Sequence, residues 1–154
     1  MARDFTPPPV ATKGHVGAVE LDYAFRLDAR FDPPVTERSP RGDRVFQNIV
    51  GGAIEGPGLV GEVYPDSGGN HGLIRAADGV EDVHARFMVR AGNGEWIYFS
   101  HVGYRRPDGY YRIQASFDAD AGGPYAWLND AVVIGAAEVS EDGCAVAVTY
   151  FQAL

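Results

Sequence analysis

The sequence predicts an all-β protein, one closed antiparallel β-barrel of about 8–10 strands with a short helical turn near its C-terminal third. Three observations point there. The first is a set of hairpin dipeptides, Asp78-Gly79, Asn93-Gly94, Asp108-Gly109 and Asp142-Gly143, which accept the positive φ that tight hairpin turns demand. The second is what lies between the turns: runs of about 10 to 13 residues, rich in aromatic and β-branched side chains. The third is composition. Twenty glycines and ten prolines are too many for a helical protein, since each costs roughly 1 and 3 kcal/mol respectively inside a helix.

The elements follow in chain order. "MARDFTPPPVATKG" has three consecutive prolines, which predict an extended arm over residues 1–13, suited to lying on a neighbouring subunit. Residues 14–154 read as a single domain. "GAVELDYAFRLD" alternates Val19, Leu21, Tyr23, Phe25 and Leu27 against Glu20, Asp22, Arg26 and Asp28, a strand with one apolar and one wet face. "RVFQNIVGG", "LVGEVYP" and "HGLIRAA" are shorter strands separated by Gly-Pro or Gly-Gly. "VEDVHARFMVRA", "EWIYFSHVGYRR" and "YYRIQASF" fill the spaces around three of the hairpin turns. Gly122-Gly123-Pro124 then breaks the chain, and "YAWLND" suits a single helical turn that closes the barrel mouth over Trp127. "AVVIGAAEVS" and "CAVAVTYFQ" complete the set. So many antiparallel strands leave edges that closure into a barrel, or a tightly folded sandwich, removes, and a calycin-like barrel of about eight strands has room for one small ligand.

Bulk properties remove several function classes. A formal charge of −8 argues against nucleic acid or an anionic membrane as partner. No apolar stretch approaches the roughly 20 residues of a spanning helix. The amino-terminal segment lacks the apolar core of a signal peptide, so the expected location is cytoplasmic. Cys144, the single cysteine, sits in an apolar run and reads as an inert thiol rather than a nucleophile.

Several pieces together resemble a known family: "GGAIEGPGLVGEVYPDSGG", "GVEDVHARFMV", "WIYFSHVGYRR" and "YYRIQASFDADAGGPYAWLNDAVVIG". The chain is similar to the DUF3237 (UPF0311) proteins from about residue 16 onward. Arg112, Tyr125, Trp127, Leu128 and Asn129 carry the most specific part of the likeness. The resemblance implies a closed barrel with an internal pocket, often in an oligomer, and leaves the activity open. Where the family has Gly-Ala-Asp-Trp this chain has Gly69, Asn70 and His71. Where it has Asp-Ala-Arg-Tyr this chain has His84, Ala85, Arg86 and Phe87, so two carboxylates are replaced by an amide and an imidazole.

The candidate residues each carry two readings. In strand phase Asp82, His84, Arg86, Met88 and Arg90 share one face, and Val83, Ala85, Phe87 and Val89 the other. The first face is either solvated or lumenal. If lumenal, His84 beside Arg86 is a candidate base, because a fixed cation disfavours the charged imidazole. His101 shares its face with Ile97, Phe99 and Gly103, as a core histidine or a lumenal one. His71 stands at a strand entrance beside Asn70. The spacings of the three histidines, 13 and 17 residues, match no local metal motif. Arg112, opposite Tyr111 in phase, either holds a substrate anion in the lumen or pairs with Asp130 or Glu62. Glu62 itself is lumenal or solvated. Tyr125 and Asn129, four apart, would point the same way from the lid.

The expected function is a cofactor-independent enzyme, with no metal, acting by acid/base chemistry on a small aromatic or carbonyl-bearing metabolite. His84, Arg86 and Arg112 are the expected catalytic residues. Asn70, His71, Glu62, His101, Tyr111, Tyr125, Trp127 and Asn129 are expected to line the substrate site. Isomerase, cyclase, hydratase or lyase chemistry fits, and a homo-oligomer (dimer or larger) is the expected assembly. The alternative is a small-ligand carrier or sensor without turnover, which the same pocket would serve.

Overall fold

The structure, a computed structural model, describes residues 19–154; the arm expected over 1–13 lies outside them. The strands are β1 (Leu21–Phe31), β2 (Val35–Ser39), β3 (Gly42–Glu55), β4 (Gly61–Val63), β5 (Gly69–Arg75), β6 (Glu81–Ala91), β7 (Trp96–Arg105), β8 (Tyr111–Asp118), β9 (Val132–Val139) and β10 (Ala145–Ala153). One 3-10 turn, Ala126–Asn129, lies between β8 and β9. Each strand expected from the sequence is present. β2 is an addition: four of its five residues are exposed, so no buried periodicity marks it.

All pairings are antiparallel, and the sheet runs β1-β10-β9-β8-β7-β6. β4 and β5 then share one position between β6 and β3, and the long β3 pairs back onto β1. The result is a closed eight-stranded barrel. At the four dipeptide turns Gly79, Gly94, Gly109 and Gly143 all take positive φ, between 71° and 92°. That left-handed geometry lets two-residue connections follow the twist of the strands they join.

The interior is packed with rings. Phe99 on β7 is fully buried and stacks on Phe87 of β6 at 4.8 Å between centroids, with Phe117 of β8 edge-on at 4.6 Å. Phe25 of β1 and Tyr150 of β10 close the cluster from the opposite wall, Tyr150 lying 5.5 Å from Phe99. Where the wall has no side chain there is no space for one. A Cβ at Gly135 would stand 2.8–3.0 Å from Val148, Ile113 and Tyr150. The ligand-sized hollow expected from the strand count is therefore occupied by the protein's own aromatic side chains, as happens when an eight-stranded barrel fills with large residues.

Two further expectations are corrected. The apolar stripe of β1 is not continuous: a register shift between Tyr23 and Phe25 turns Leu21 and Tyr23 to the outer face, while Phe25 and Leu27 stay inside. A bulge of this kind inserts one unpaired residue, here Ala24, and reverses the side-chain phase beyond it. The 3-10 turn is packed on the core through Leu128, its buried residue, whereas Trp127, expected to lie beneath it, is only partly covered. Asn129 fixes the turn with two bonds to Ala119, accepting from its N–H at 2.7 Å and donating to its carbonyl at 3.0 Å.

Candidate functional site

Strand phase decides which side each expected site residue faces. On β6, Val83, Ala85, Phe87 and Val89 are buried and line the interior, so His84 and Arg86 project outward. On β8, Tyr111, Ile113, Ala115 and Phe117 are buried, so Arg112 and Gln114 project outward as well. The three residues expected to act inside the lumen are thus on the outer wall. The reason is energetic: a desolvated, unpaired guanidinium costs several kcal/mol, and the apolar residues of each strand take the inner phase.

The outer wall nevertheless holds a groove of about 940 Å³, running across β6 to β10 and reaching Leu21 of β1. The strand registers explain its lining. One row reads His84, Val102, Gln114, Ile134, Phe151 across successive strands. The next row reads Asp82, Tyr104, Arg112, Ala136. His84 and Gln114 are two strands apart, about 10 Å, given ~4.8 Å per strand. The floor is unusually apolar for an exposed face, with Tyr104 55% and Ile134 39% accessible. The bulge in β1 supplies part of it by turning Leu21 outward.

Arg112 is held but not neutralised. Its guanidinium donates to the Tyr111 carbonyl at 2.9 Å and lies 5.2 Å from the centroid of Tyr110. Neither Asp130 nor Glu62 pairs with it; among the described residues it forms no ion pair. Glu62 is exposed on β4, opposite Arg90 in register, away from the groove. His71, on β5, lies across from His84 in the register set by Asn70↔Ala85 and Leu73↔Asp82. His71, His84 and Arg86 line a second, smaller depression of about 310 Å³, so His84 borders both.

A separate polar cluster is buried at the barrel end away from the 3-10 turn. His101 sits 2.9 Å from the Tyr150 hydroxyl through Nδ1. Burial, with a smaller push from the charge of His84, lowers its pKa to about 4, so it is neutral at pH 7. Burial also raises the phenol of Tyr150 well above its ordinary value, and that of Tyr111 likewise, with Glu81 adding to the latter. The Glu81 carboxyl is raised by burial, against the opposing pull of Arg105 and of a 3.3 Å bond from Asn70. Asn70 uses its other side to accept the His84 N–H at 3.1 Å, which ties the inner cluster to the outer strand face. The cavity among these groups is about 30 Å³, room for about one water and not for a metabolite.

Of the expected site residues, the outer groove brings together His84 and Arg112, and the smaller depression His71, His84 and Arg86. His101, Tyr111 and Asn70 form the buried cluster. Glu62, Tyr125, Trp127 and Asn129 join none of these. Tyr104, Tyr110, Gln114 and Phe151 were not singled out from the sequence; the signal was present in Tyr104 and Tyr110, large rings in the solvent phase of their strands. Among the described residues no group of three or more His, Cys, Asp and Glu side chains is arranged to hold a metal ion, and no helix is long and apolar enough to cross a membrane.

A family model described as a protein of unknown function (DUF3237) matches residues 19–109. The chain belongs to the DUF3237 family. No relative is found among the curated proteins. Solved structures share the fold. A protein of unknown function from Clostridium acetobutylicum superposes with a TM-score of 0.81 at 20% identity, over 91% of this chain and 100% of its own. A β-barrel-like protein from Acinetobacter baumannii gives 0.80 at 21% identity, over 98% of this chain and 100% of its own. An enzyme from Penicillium herquei gives 0.75 at 18% identity, over 92% of this chain and 99% of its own. At these identities the likeness is one of fold alone.

Proposed function

We propose that this DUF3237 protein is an acid/base enzyme whose substrate lies in the outer groove rather than inside the barrel. The observation that supports this most directly is that His84 and the unpaired Arg112 line one groove of about 940 Å³ with an aromatic and aliphatic floor. That volume falls in the range of small-molecule sites, roughly 300–1,000 Å³. His84 is the proton acceptor and donor. Arg112, oriented by Tyr110, stabilises the enolate or phenolate that forms as the proton leaves. Tyr104, Ile134 and Phe151 hold a flat apolar body between them. The groups present suit isomerisation, cyclisation, hydration or elimination on a small aromatic or carbonyl-bearing metabolite. The structural relative from Penicillium herquei, described as an enzyme, favours turnover over carriage.

The expected homo-oligomer is proposed to form through the same outer wall, where Tyr23 and Val132 are exposed beside the groove. Sedimentation velocity reads this directly; a monomeric wild type removes it.

Arg112→Gln is expected to weaken binding of aromatic carboxylates or phenolates about 10- to 100-fold by calorimetry, the worth of one charge-assisted contact. His84→Gln is expected to leave that binding within a few-fold and to abolish turnover of any substrate a metabolite screen yields. Equal binding by wild type and Arg112→Gln would remove the groove as the site. Binding without product in wild type would leave a carrier.

A further inference from the structure

We infer that the depression beside the groove, formed by His71, His84 and Arg86, is a subsite for a tetrahedral oxyanion of the phosphoryl class. The ligand group it receives is carried on the molecule that occupies the groove. That last link rests on the proposed function; the anion site itself does not.

The depression measures about 310 Å³ and is lined by Ser67, Gly68, Gly69, His71, His84 and Arg86. Three nitrogen-bearing side chains therefore meet there with no carboxylate in the lining. The register places them: Arg86 faces Gly69 across the β5–β6 pair, and the same register sets His71 opposite His84 two residues further along. Position 69 admits only glycine, because a Cβ there would run into the Gln47 carbonyl. Arg86, like Arg90 and Arg112, forms no ion pair among the described residues. The acidic groups nearest in sequence lie outside the lining of the depression. Asp82 lies 3.7 Å from Arg75, and Asp66 accepts a 2.8 Å bond from Asn48. His71 is braced by Phe46, whose ring centroid is 4.8 Å away.

In a chain of net charge −8, a concave spot with a guanidinium and no carboxylate in its lining stands out against the field of the rest. Two imidazoles and a guanidinium project into it from neighbouring positions on the outer face of β5 and β6. Three nitrogen groups so placed can bond more oxygens than the two of a planar carboxylate, which a single guanidinium takes bidentately. Two imidazoles and a guanidinium do not make a cation site, because the arginine repels the metal and no third ligand is at hand. Since His84 lines both hollows, an oxyanion held here puts the attached ligand across the imidazole and into the groove.

The test is titration of the full chain with inorganic phosphate at constant ionic strength, followed by NMR of the imidazole signals. Saturable shifts of His71 and His84 are expected with a Kd on the order of 1 mM, with His101 unmoved. Arg86→Gln is expected to weaken the affinity about tenfold or more, and His71→Asn by a smaller factor, while Arg112→Gln leaves it unchanged. No saturable shift, or affinity lost in Arg112→Gln but retained in Arg86→Gln, would overturn the subsite. A protein that binds phosphate as described but turns nothing over defeats only the enzymatic reading.

Discussion

Phe99→Ala is expected to lower the unfolding free energy by about 3–5 kcal/mol, the cost of removing a large ring from a packed core. The residue is fully buried and touches rings on four other strands: Phe25, Phe87, Phe117 and Tyr150. A closed barrel cannot collapse onto the space by sliding one layer over another, so most of the volume persists as a cavity. Urea denaturation checks this through a lower midpoint at unchanged slope. Tyr104→Ala, on the outer wall, serves as the control and is expected to stay within about ±0.5 kcal/mol. Should Phe99→Ala cost less than about 1 kcal/mol, the barrel centre is loosely filled, and an interior ligand site returns to consideration.

That same ring cluster is where sequence reasoning and structure part. The strands were legible because each carries its own alternation, and the turns because Asp-Gly and Asn-Gly name their φ angles. Phase was legible too: Val83, Ala85, Phe87 and Val89 form one face by inspection. What alternation does not encode is whether the inner phase encloses space. Phe25, Phe87, Phe99, Phe117 and Tyr150 come from five separate strands, and only the closure of the sheet shows that they meet on the axis. The bulge at Ala24 was hidden for a related reason, because Leu21 and Tyr23 continue the apolar pattern of Phe25 and Leu27 while facing the other way.

The candidate site was legible residue by residue but not in its placement. His84, Arg86 and Arg112 drew attention as polar groups in otherwise apolar strands, and the register brings them to one side of the molecule. Their location outside follows from the same alternation, once the aromatic set is given the interior. Glu81, by contrast, had no local mark. It begins a strand and looks solvated in the sequence; only the fold folds it against Tyr111 and Asn70.

Lowering the pH from 6.5 to 4 is expected to cost the fold about 3 kcal/mol through His101 alone. The imidazole titrates near 6.5 in the unfolded chain and at about 4 in the folded one, and each unit of difference is worth about 1.4 kcal/mol. The unfolded state thus binds the extra proton throughout that window, and stability rises with pH across it, then levels off above 6.5. Glu81 has the opposite sign. Its folded pKa is raised above 4.5 by burial, so the unfolded chain releases that proton first and stability declines as pH climbs from 4.5. The carboxylates of Asp28, Asp78 and Asp142 are held below their ordinary 3.8 by neighbouring donors, so their contribution disappears only in stronger acid. Among the groups held away from their ordinary values, His101 and Glu81 pull the slope between pH 4.5 and 6.5 in opposite directions. Urea midpoints at pH 4.5, 5.5 and 7 separate them. His101→Gln is expected to flatten or invert the slope, and Glu81→Gln to steepen it. The comparison is of slopes, so a uniform loss of stability in either variant does not disturb it. A slope unchanged by His101→Gln would mean that the proton goes elsewhere, and that the Tyr150 pair is not the acid-sensitive point of the barrel.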